Sequence, residues 1–282
     1  MSLRQPKWRK TAQNEGENSP SFSVNREHNC PRFESLERRI SKIQQSIFIQ
    51  TARRFVEAYQ EIEGANLKAV YLFGSVFRGE ASLGYSDIDL HAFVESTPNF
   101  DKHVPIQAKF EIESPGIIGF AMPMQVQPAK ENKYLAFRIR WDSLLLTDGD
   151  VFEGIPTPEA DRTMAKELFP SVLELANFAS GRIDMNSTDF DLPTDGLTRH
   201  RKLARLAVLG GACLQMALGR FKSYRGVDVL PDLLSSYPQW SPFLHEVEGS
   251  YISPNLNESD LERQNRFTQN LSEFLGWVDS QI

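Results

Sequence analysis

The spacing of hydrophobic residues changes along the chain, from a mixed pattern in the first half to a helical pattern in the second. From Phe33 to about Ile62, apolar residues recur at helical spacing, which predicts a long amphipathic helix. A continuous apolar run then predicts a buried strand at 68–73, and strict alternation predicts a half-buried strand at 87–95. This order predicts a sheet with the first helix laid against it.

Three later segments of the first half have less regular patterns. Apolar and charged residues alternate from Gln107 to Glu113, which predicts a third strand. Residues 116–126 are consistent with another strand. Residues 132–142 fit either a strand or a helix that precedes the apolar residues 144–146, and both interpretations remain open.

Beyond Pro156 and Pro158 the apolar spacing becomes helical. It predicts helices at about 164–178, 203–217 and 258–280. The fold class that follows is α+β, a mixed-sheet domain followed by an all-helical bundle domain. We place the two domains at 34–156 and 157–282, and we expect residues 1–33, which lack a hydrophobic period, to be a disordered leader.

A glycine and a serine follow the first predicted strand directly. Gly74 allows a sharp turn with a positive φ angle, and Ser75 can cap a short helix after it. Free amide donors at a helix start, with Arg78 nearby, favour the binding of a phosphate. The alternative for Arg78 is an ion pair with Glu80 or with a carboxylate elsewhere.

Two aspartates open the second predicted strand. On a strand period of two, Asp87 and Asp89 point from the same face and lie close together. Two such carboxylates repel and raise each other's pKa unless a cation lies between them. Mg²⁺ prefers oxygen ligands and also bridges substrate phosphates, so the pattern predicts a magnesium site.

The segment from Gly74-Ser75 to Asp87-Ile88-Asp89-Leu90, with eleven residues between Ser75 and Asp87, resembles the signature of the polymerase-β-like nucleotidyltransferase superfamily. The resemblance implies that Gly74 and Ser75 bind the triphosphate and that Asp87 and Asp89 bind divalent metal. We place Arg78 and Ser86 with the nucleotide-binding residues.

The resemblance also implies a third carboxylate on a neighbouring strand, which binds metal and takes the proton of the attacking hydroxyl. Glu111 is the candidate, because Phe110-Glu111-Ile112 resembles the strand that carries the base in the adenylyltransferases. Glu113 shares its face. Asp142 is the other alternative, should residues 134–146 form the adjacent strand.

A sheet domain followed by a helical bundle resembles the streptomycin and spectinomycin adenylyltransferases among the superfamily's members. This implies transfer of AMP from ATP to a hydroxyl of a small molecule such as an aminoglycoside-like antibiotic, and hence a role in antibiotic resistance. The acidic loop 184–195 could attract such a polycation. One departure is that Gly210-Gly211 occupies the region where these enzymes carry an arginine.

Two other functions are compatible with the motif. The stretch from Leu72 to Ala81 also resembles protein-modifying nucleotidyltransferases of the toxin–antitoxin kind, which are normally much shorter than this chain. The second alternative is a binding module that keeps the fold but has lost catalytic activity, although both aspartates are present.

Composition narrows the partners and the compartment. A net charge of −6 and a pI near 5.5 argue against a nucleic-acid partner. Cys30 and Cys213 lack metal-ligand spacing and are interpreted as free thiols of a cytoplasmic protein. We find no apolar run long enough to span a membrane and no secretory signal.

Overall fold

The computed structural model describes residues 47–81, 86–113, 123–179, 196–252 and 261–282. Several predicted features lie outside the described residues: the leader 1–33, the first predicted helix before Ile47, most of the possible strand at 116–126, and the acidic loop 184–195. None of the helices in the described part is long and apolar enough to cross a membrane.

Within the described residues, four strands form a mixed sheet, which confirms the predicted fold class. They are β1 (Leu67–Phe73), β2 (Leu90–Val94), β3 (Met124–Gln125) and β4 (Ser143–Leu145), in the spatial order β3-β2-β1-β4. Both β2 and β4 are antiparallel to β1, whereas β3 is parallel to β2. Val70 and Leu72 belong to one buried hydrophobic cluster and Ala69, Tyr71 and Phe73 to another, so the buried central strand carries a hydrophobic set on each face.

The described part of the chain places five helices with the sheet: α1 (Ile47–Glu63), α2 (Gly74–Arg78), α3 (Phe100–Glu113), α4 (Val126–Glu131) and α5 (Lys133–Asp142). On one face, α1 packs on Val70 and Leu72 of β1, as its amphipathic pattern predicts. On the other face, α4 and α5 pack on Tyr71 and Phe73 of the same strand. The sheet is therefore covered on both sides.

The predicted strand from Gln107 to Glu113 is wrong, because these residues are the last turns of α3. A helical period is also present there. His103, Ile106 and Phe110 share one face, and Phe110 packs against Phe55 of α1 with ring centroids 4.8 Å apart. The strand pattern places Ile112 on the buried face, yet this side chain is 82% exposed.

Residues 133–142 take the helical alternative as α5, which ends where β4 begins. The Asn132 side chain accepts a hydrogen bond from the Leu135 N–H at 3.0 Å and caps the helix start. The first turn of α5 therefore has the local signal that distinguishes a helix from a strand.

Beyond residue 161, the residues that the structure describes form five further helices, which we call the C-terminal helical region: α6 (Arg162–Ala179), α7 (Gly196–Ala217), α8 (Gly226–Ser236), α9 (Ser241–Ile252) and α10 (Leu261–Gln281). The three helices predicted for this region are confirmed as α6, α7 and α10. Helix α7 is central and contacts the other four. A Cβ on Gly210 would lie 2.4 Å from Leu275, and one on Gly211 would lie 2.5 Å from Leu233. The glycine pair thus lets α10 and α8 pack closely on α7.

Candidate active site

The turn after β1 brings Gly74 against the carboxylate of Asp89. Gly74 has a φ angle of 70°, which glycine adopts without strain. A Cβ at this position would lie 1.8 Å from Oδ2 of Asp89. The Phe73 N–H also donates to the Asp89 carbonyl at 2.9 Å, which ties the two backbones together at this point. The space that a side chain would take at position 74 is therefore filled by the Asp89 carboxylate.

The serine of the turn begins a very short helix. Ser75 is half-buried and lies in α2, which has five residues. The helix ends at Gly79, which has a φ angle of 72°. The Glu80 N–H donates to the Ser75 carbonyl at 2.8 Å, which closes the last turn. Gly74 and Ser75 are thus held at the start of α2, where they face the residues that lead into β2.

Ser86, Asp87 and Asp89 follow one another into β2 with different exposure. Ser86 is buried, Asp87 is exposed and Asp89 is half-buried. Burial of the carboxyl group, and next the charge of Asp87, raise the pKa of Asp89 to about 6. The two aspartates are therefore close enough to repel each other, as their spacing predicts.

Arg78 takes the ion-pair alternative. Its side chain is 4% exposed and lies between Asp142, with Nη1 to Oδ2 at 2.6 Å, and Glu80, with Nε to Oε2 at 3.1 Å. These carboxylates raise the pKa of the Arg78 guanidinium above its ordinary value against the opposing effect of burial. Because the Arg78 side chain is buried between these two carboxylates, a phosphate could reach it only if the side chain became exposed. Asp142, one alternative for the third carboxylate, is buried in the same ion pair.

The argument for Glu111 as the third carboxylate depended on a strand from Gln107 to Glu113. These residues are helical, so that argument fails. Helix α3, which carries Glu111, packs against α1 on one face of the sheet, whereas Asp89 lies on the other face, near Arg138 of α5. Glu113 points to the α1 side, where it pairs with Arg54. Nothing is described of the Glu111 side chain, so its role as metal ligand and base stays a prediction without that support.

The part of the chain that carries this turn and the two aspartates matches a known protein family. Residues 52–146, from α1 to the end of the sheet, match the family model described as nucleotidyltransferase domain. This part of the chain is a nucleotidyltransferase domain. The resemblance to the polymerase-β-like superfamily is thereby confirmed.

Among the solved structures that match, we describe one that shares the fold over most of the chain. It is spectinomycin adenyltransferase AAD(9) from Enterococcus faecialis, solved with ATP and spectinomycin. The TM-score is 0.55 at 12% sequence identity, and the match covers 81% of this chain and 99% of the other. The comparison with curated proteins finds no match. The shared fold extends beyond the nucleotidyltransferase domain into the C-terminal helical region.

The described residues of the nucleotidyltransferase domain fit a magnesium ion in part. Asp87 and Asp89 supply hard carboxylate oxygens, and burial, followed by the charge of Asp87, raises the pKa of Asp89. Among the described residues, no group of three or more His, Cys, Asp or Glu side chains could hold a metal together. Mg²⁺ can bind through one or two carboxylates and complete its shell with water and substrate phosphates, so two aspartates are sufficient.

Two arginines outside the Gly74–Leu90 motif lie near Asp89. Arg138 of α5 and Arg205 of α7 both act electrostatically on Asp89. A signal for Arg138 exists, because Tyr134, Arg138 and Asp142 are spaced by four residues and share a face once 133–142 is taken as a helix. For Arg205 no local pattern could reveal a contact with a residue 116 positions earlier in the chain.

Glu80, the last residue of the motif's Arg-Gly-Glu, joins the nucleotidyltransferase domain to the C-terminal helical region. Its carboxylate accepts hydrogen bonds from the Gly226 N–H at 3.1 Å and from the hydroxyl of Tyr251, and Arg205 Nη1 lies 3.5 Å away. The Glu80 carbonyl accepts from Arg201 at 3.0 Å. One residue thus contacts α7, α8 and α9.

Replacing Glu80 by alanine is expected to lower the free energy of unfolding by about 3 kcal/mol, since it leaves Arg78 and the other donors without their shared carboxylate. Urea unfolding followed by circular dichroism measures this. Glu113→Ala is the matched control: it also removes a carboxylate that pairs with an arginine, but the Glu113 side chain is 35% exposed and should cost about 1 kcal/mol or less. Equal losses in the two variants would contradict the role of Glu80.

Proposed function

We propose that the chain is a metal-dependent adenylyltransferase that moves AMP from ATP onto a hydroxyl of a small molecule, with an aminoglycoside-like antibiotic as the first candidate acceptor. The observation that carries the proposal is the pair Asp87 and Asp89, repelling each other beside the glycine turn of a nucleotidyltransferase domain. The structural neighbour, solved with ATP and spectinomycin, supports the choice of nucleotide and acceptor class.

The residues of this chain would divide the work as follows. Gly74 and Ser75 would grip the triphosphate, as the superfamily resemblance implies, and the missing side chain at position 74 makes room for the Asp89 carboxylate. Asp87 and Asp89 would hold Mg²⁺, which when bound supplies neutralisation of charge on the phosphate oxygens. The acceptor oxygen forms a bond to the α-phosphorus while the bond from that phosphorus to the β-phosphate bridging oxygen breaks, releasing pyrophosphate.

The proton of the acceptor hydroxyl needs a base. Glu111 is the predicted one, and its test is independent of the strand argument. If Glu111 is the base, Glu111→Gln lowers turnover with little effect on nucleotide affinity. Unchanged turnover would assign the proton to another group. Glu113→Gln is the control, because Glu113 pairs with Arg54 on the α1 side and should leave turnover as it is.

The proposed function is tested by incubating the protein with ATP, Mg²⁺ and a panel of compounds that includes spectinomycin, streptomycin and aminoglycosides. Mass spectrometry would then show an AMP increment on an acceptor, with release of pyrophosphate. The increment should disappear with Asp89→Asn and persist with Glu113→Gln. An increment on protein rather than on any small molecule would instead support the protein-modifying alternative. Mg²⁺-dependent ATP binding without transfer to any acceptor would support the silent module.

A further inference from the structure

Arg138 is a partly open guanidinium beside the aspartate pair. Its side chain is 31% exposed, compared with 4% for Arg78. Its guanidinium carbon lies 5.4 Å from the centre of the Phe73 ring, and Phe73 is the residue that immediately precedes the turn. Arg138 also acts electrostatically on both Asp89 and His91 of the neighbouring strand. The side chain is therefore fixed at the mouth of the Gly-Ser turn, with part of its surface accessible.

The hydrogen-bonding capacity of Arg138 is little used among the described residues. Its Nη1 lies 3.5 Å from the Tyr134 hydroxyl, which is at the limit of a hydrogen bond. Its Nη2 lies 3.9 Å from Asp142, whose same oxygen already binds Arg78 at 2.6 Å. A guanidinium has five N–H donors, so Arg138 can engage a further anion without breaking a short ion pair.

The other cations near Asp89 are more fully engaged. Arg78 is held between Asp142 and Glu80, as described above. Arg205 donates to the Tyr251 hydroxyl at 2.8 Å, lies 3.5 Å from Glu80, and is 21% exposed. Of these three arginines, Arg138 has the longest contacts and the largest exposed fraction.

We propose that Arg138, rather than the motif residue Arg78, contacts the phosphate chain of the nucleoside triphosphate. The proposal rests on the proposed function, since it concerns the same nucleotide. A guanidinium fixed by an aromatic face presents paired N–H donors that match phosphate oxygens, whereas Arg78 acts as a brace between α2, α5 and Glu80. Arg138 thereby makes the site selective for a nucleotide that carries a phosphate chain over the bare nucleoside.

The test measures binding without turnover. Isothermal titration with α,β-methylene-ATP and Mg²⁺, and separately with adenosine, is carried out on the full chain and on Arg138→Gln and Arg138→Lys. We expect Arg138→Gln to weaken binding of the ATP analogue by about 10- to 100-fold, the range of one or two charge-assisted hydrogen bonds. The affinity of Arg138→Lys for the ATP analogue should lie between those of the unaltered chain and Arg138→Gln, because lysine keeps the charge and loses the paired donors. Adenosine binding should not change.

The control is Lys133→Gln, which removes the same charge from an exposed position on the same helix and should leave both affinities as they are. Wild-type affinity for the analogue in both Arg138 variants would overturn the assignment, and so would an equal loss for analogue and adenosine, which indicates a structural role. If Arg138→Gln does not fold, Arg138→Lys is judged by the same criteria. No binding of the analogue by the unaltered chain would overturn the proposed function and this proposal with it, which is distinguishable from failure in the variants alone.

Discussion

Replacing Asp89 by asparagine is expected to abolish nucleotidyl transfer and, in the metal-free protein at pH 7.5, to raise the melting temperature. Loss of transfer follows from removal of a proposed metal ligand, and several kcal/mol of charge stabilisation correspond to at least about 10³-fold in rate. The gain in stability follows from the electrostatics of the free site. Burial, and next the charge of Asp87, raise the pKa of Asp89 to about 6, so ionising this carboxyl at neutral pH costs free energy in the folded state.

The direction in which folding stability changes with pH follows from the difference in proton binding between the folded and unfolded states. Between the ordinary pKa of an aspartate and about 6, the folded state binds more protons than the unfolded state, so stability falls as pH rises through this window. Above it the penalty is fully present, at most about 3 kcal/mol. Asp89→Asn removes the penalty and should raise the melting temperature by about 3–8 °C at pH 7.5. The difference between variant and wild type should shrink toward pH 5.

Thermal unfolding of both proteins at the two pH values, with and without Mg²⁺, measures the effect. Mg²⁺ should stabilise the wild type and leave Asp89→Asn unchanged, since an ion that binds only the folded state raises its stability. A variant that is less stable than the wild type at pH 7.5, or one that Mg²⁺ still stabilises, would contradict the assignment of Asp89 as a strained metal ligand.

Most of the sheet and the centre of the site could be predicted because their signals are local. The apolar run of β1, the alternation in β2 and the glycine after Phe73 each reflect a requirement that acts within a few residues. The contact between Gly74 and Asp89 also follows from local facts, since β1 and β2 are antiparallel neighbours and Asp89 immediately precedes β2.

The third carboxylate could not be predicted in the same way. In 108–113 apolar and charged residues alternate over six positions, which a helix with one buried face also produces when its exposed face carries an apolar residue such as Ile112. The decision between strand and helix depended on whether His103, Ile106 and Phe110 meet another element, and that element is α1. Tertiary packing therefore decided between the helical and the strand period. That information is not contained in the sequence of a single segment.

Ion pairs between residues that are far apart in the chain also could not be predicted from the sequence. The alternatives for Arg78 could be named, yet only the fold brings Asp142 to it from 64 positions away. Likewise the contacts of Glu80 with α7, α8 and α9 depend on how the C-terminal helical region packs. The motif therefore predicts where the reacting groups lie, whereas the brace that holds them requires the tertiary structure.

Replacing Gly74 by alanine is expected to lower transfer by about 100-fold or more and to destabilise the protein by more than its backbone conformation alone explains. A φ angle of 70° costs an alanine about 1–2 kcal/mol. In addition, the new Cβ would lie 1.8 Å from Oδ2 of Asp89, so the carboxylate must leave its position. If Asp89 is the metal ligand that we propose, displacement of its carboxylate by about 1 Å is enough to cost about two orders of magnitude in rate.

Gly154→Ala is the matched control for the backbone cost, because Gly154 has a φ angle of 75° and a Cβ there would meet nothing within 4 Å. It should lose about 1–2 kcal/mol and keep full transfer activity. Urea unfolding gives the stabilities of both variants, and the mass-spectrometric assay gives the activities.

A double-mutant cycle separates the two causes of instability in Gly74→Ala. When Asp89 is already alanine, the side chain that blocks the new Cβ is gone, so adding Gly74→Ala should cost only the backbone strain that Gly154→Ala also shows. We expect a coupling free energy of about 1 kcal/mol or more between positions 74 and 89. Additive losses, together with normal transfer by Gly74→Ala, would mean that the glycine is needed for its φ angle alone and that the carboxylate of Asp89 does not depend on the space beside it.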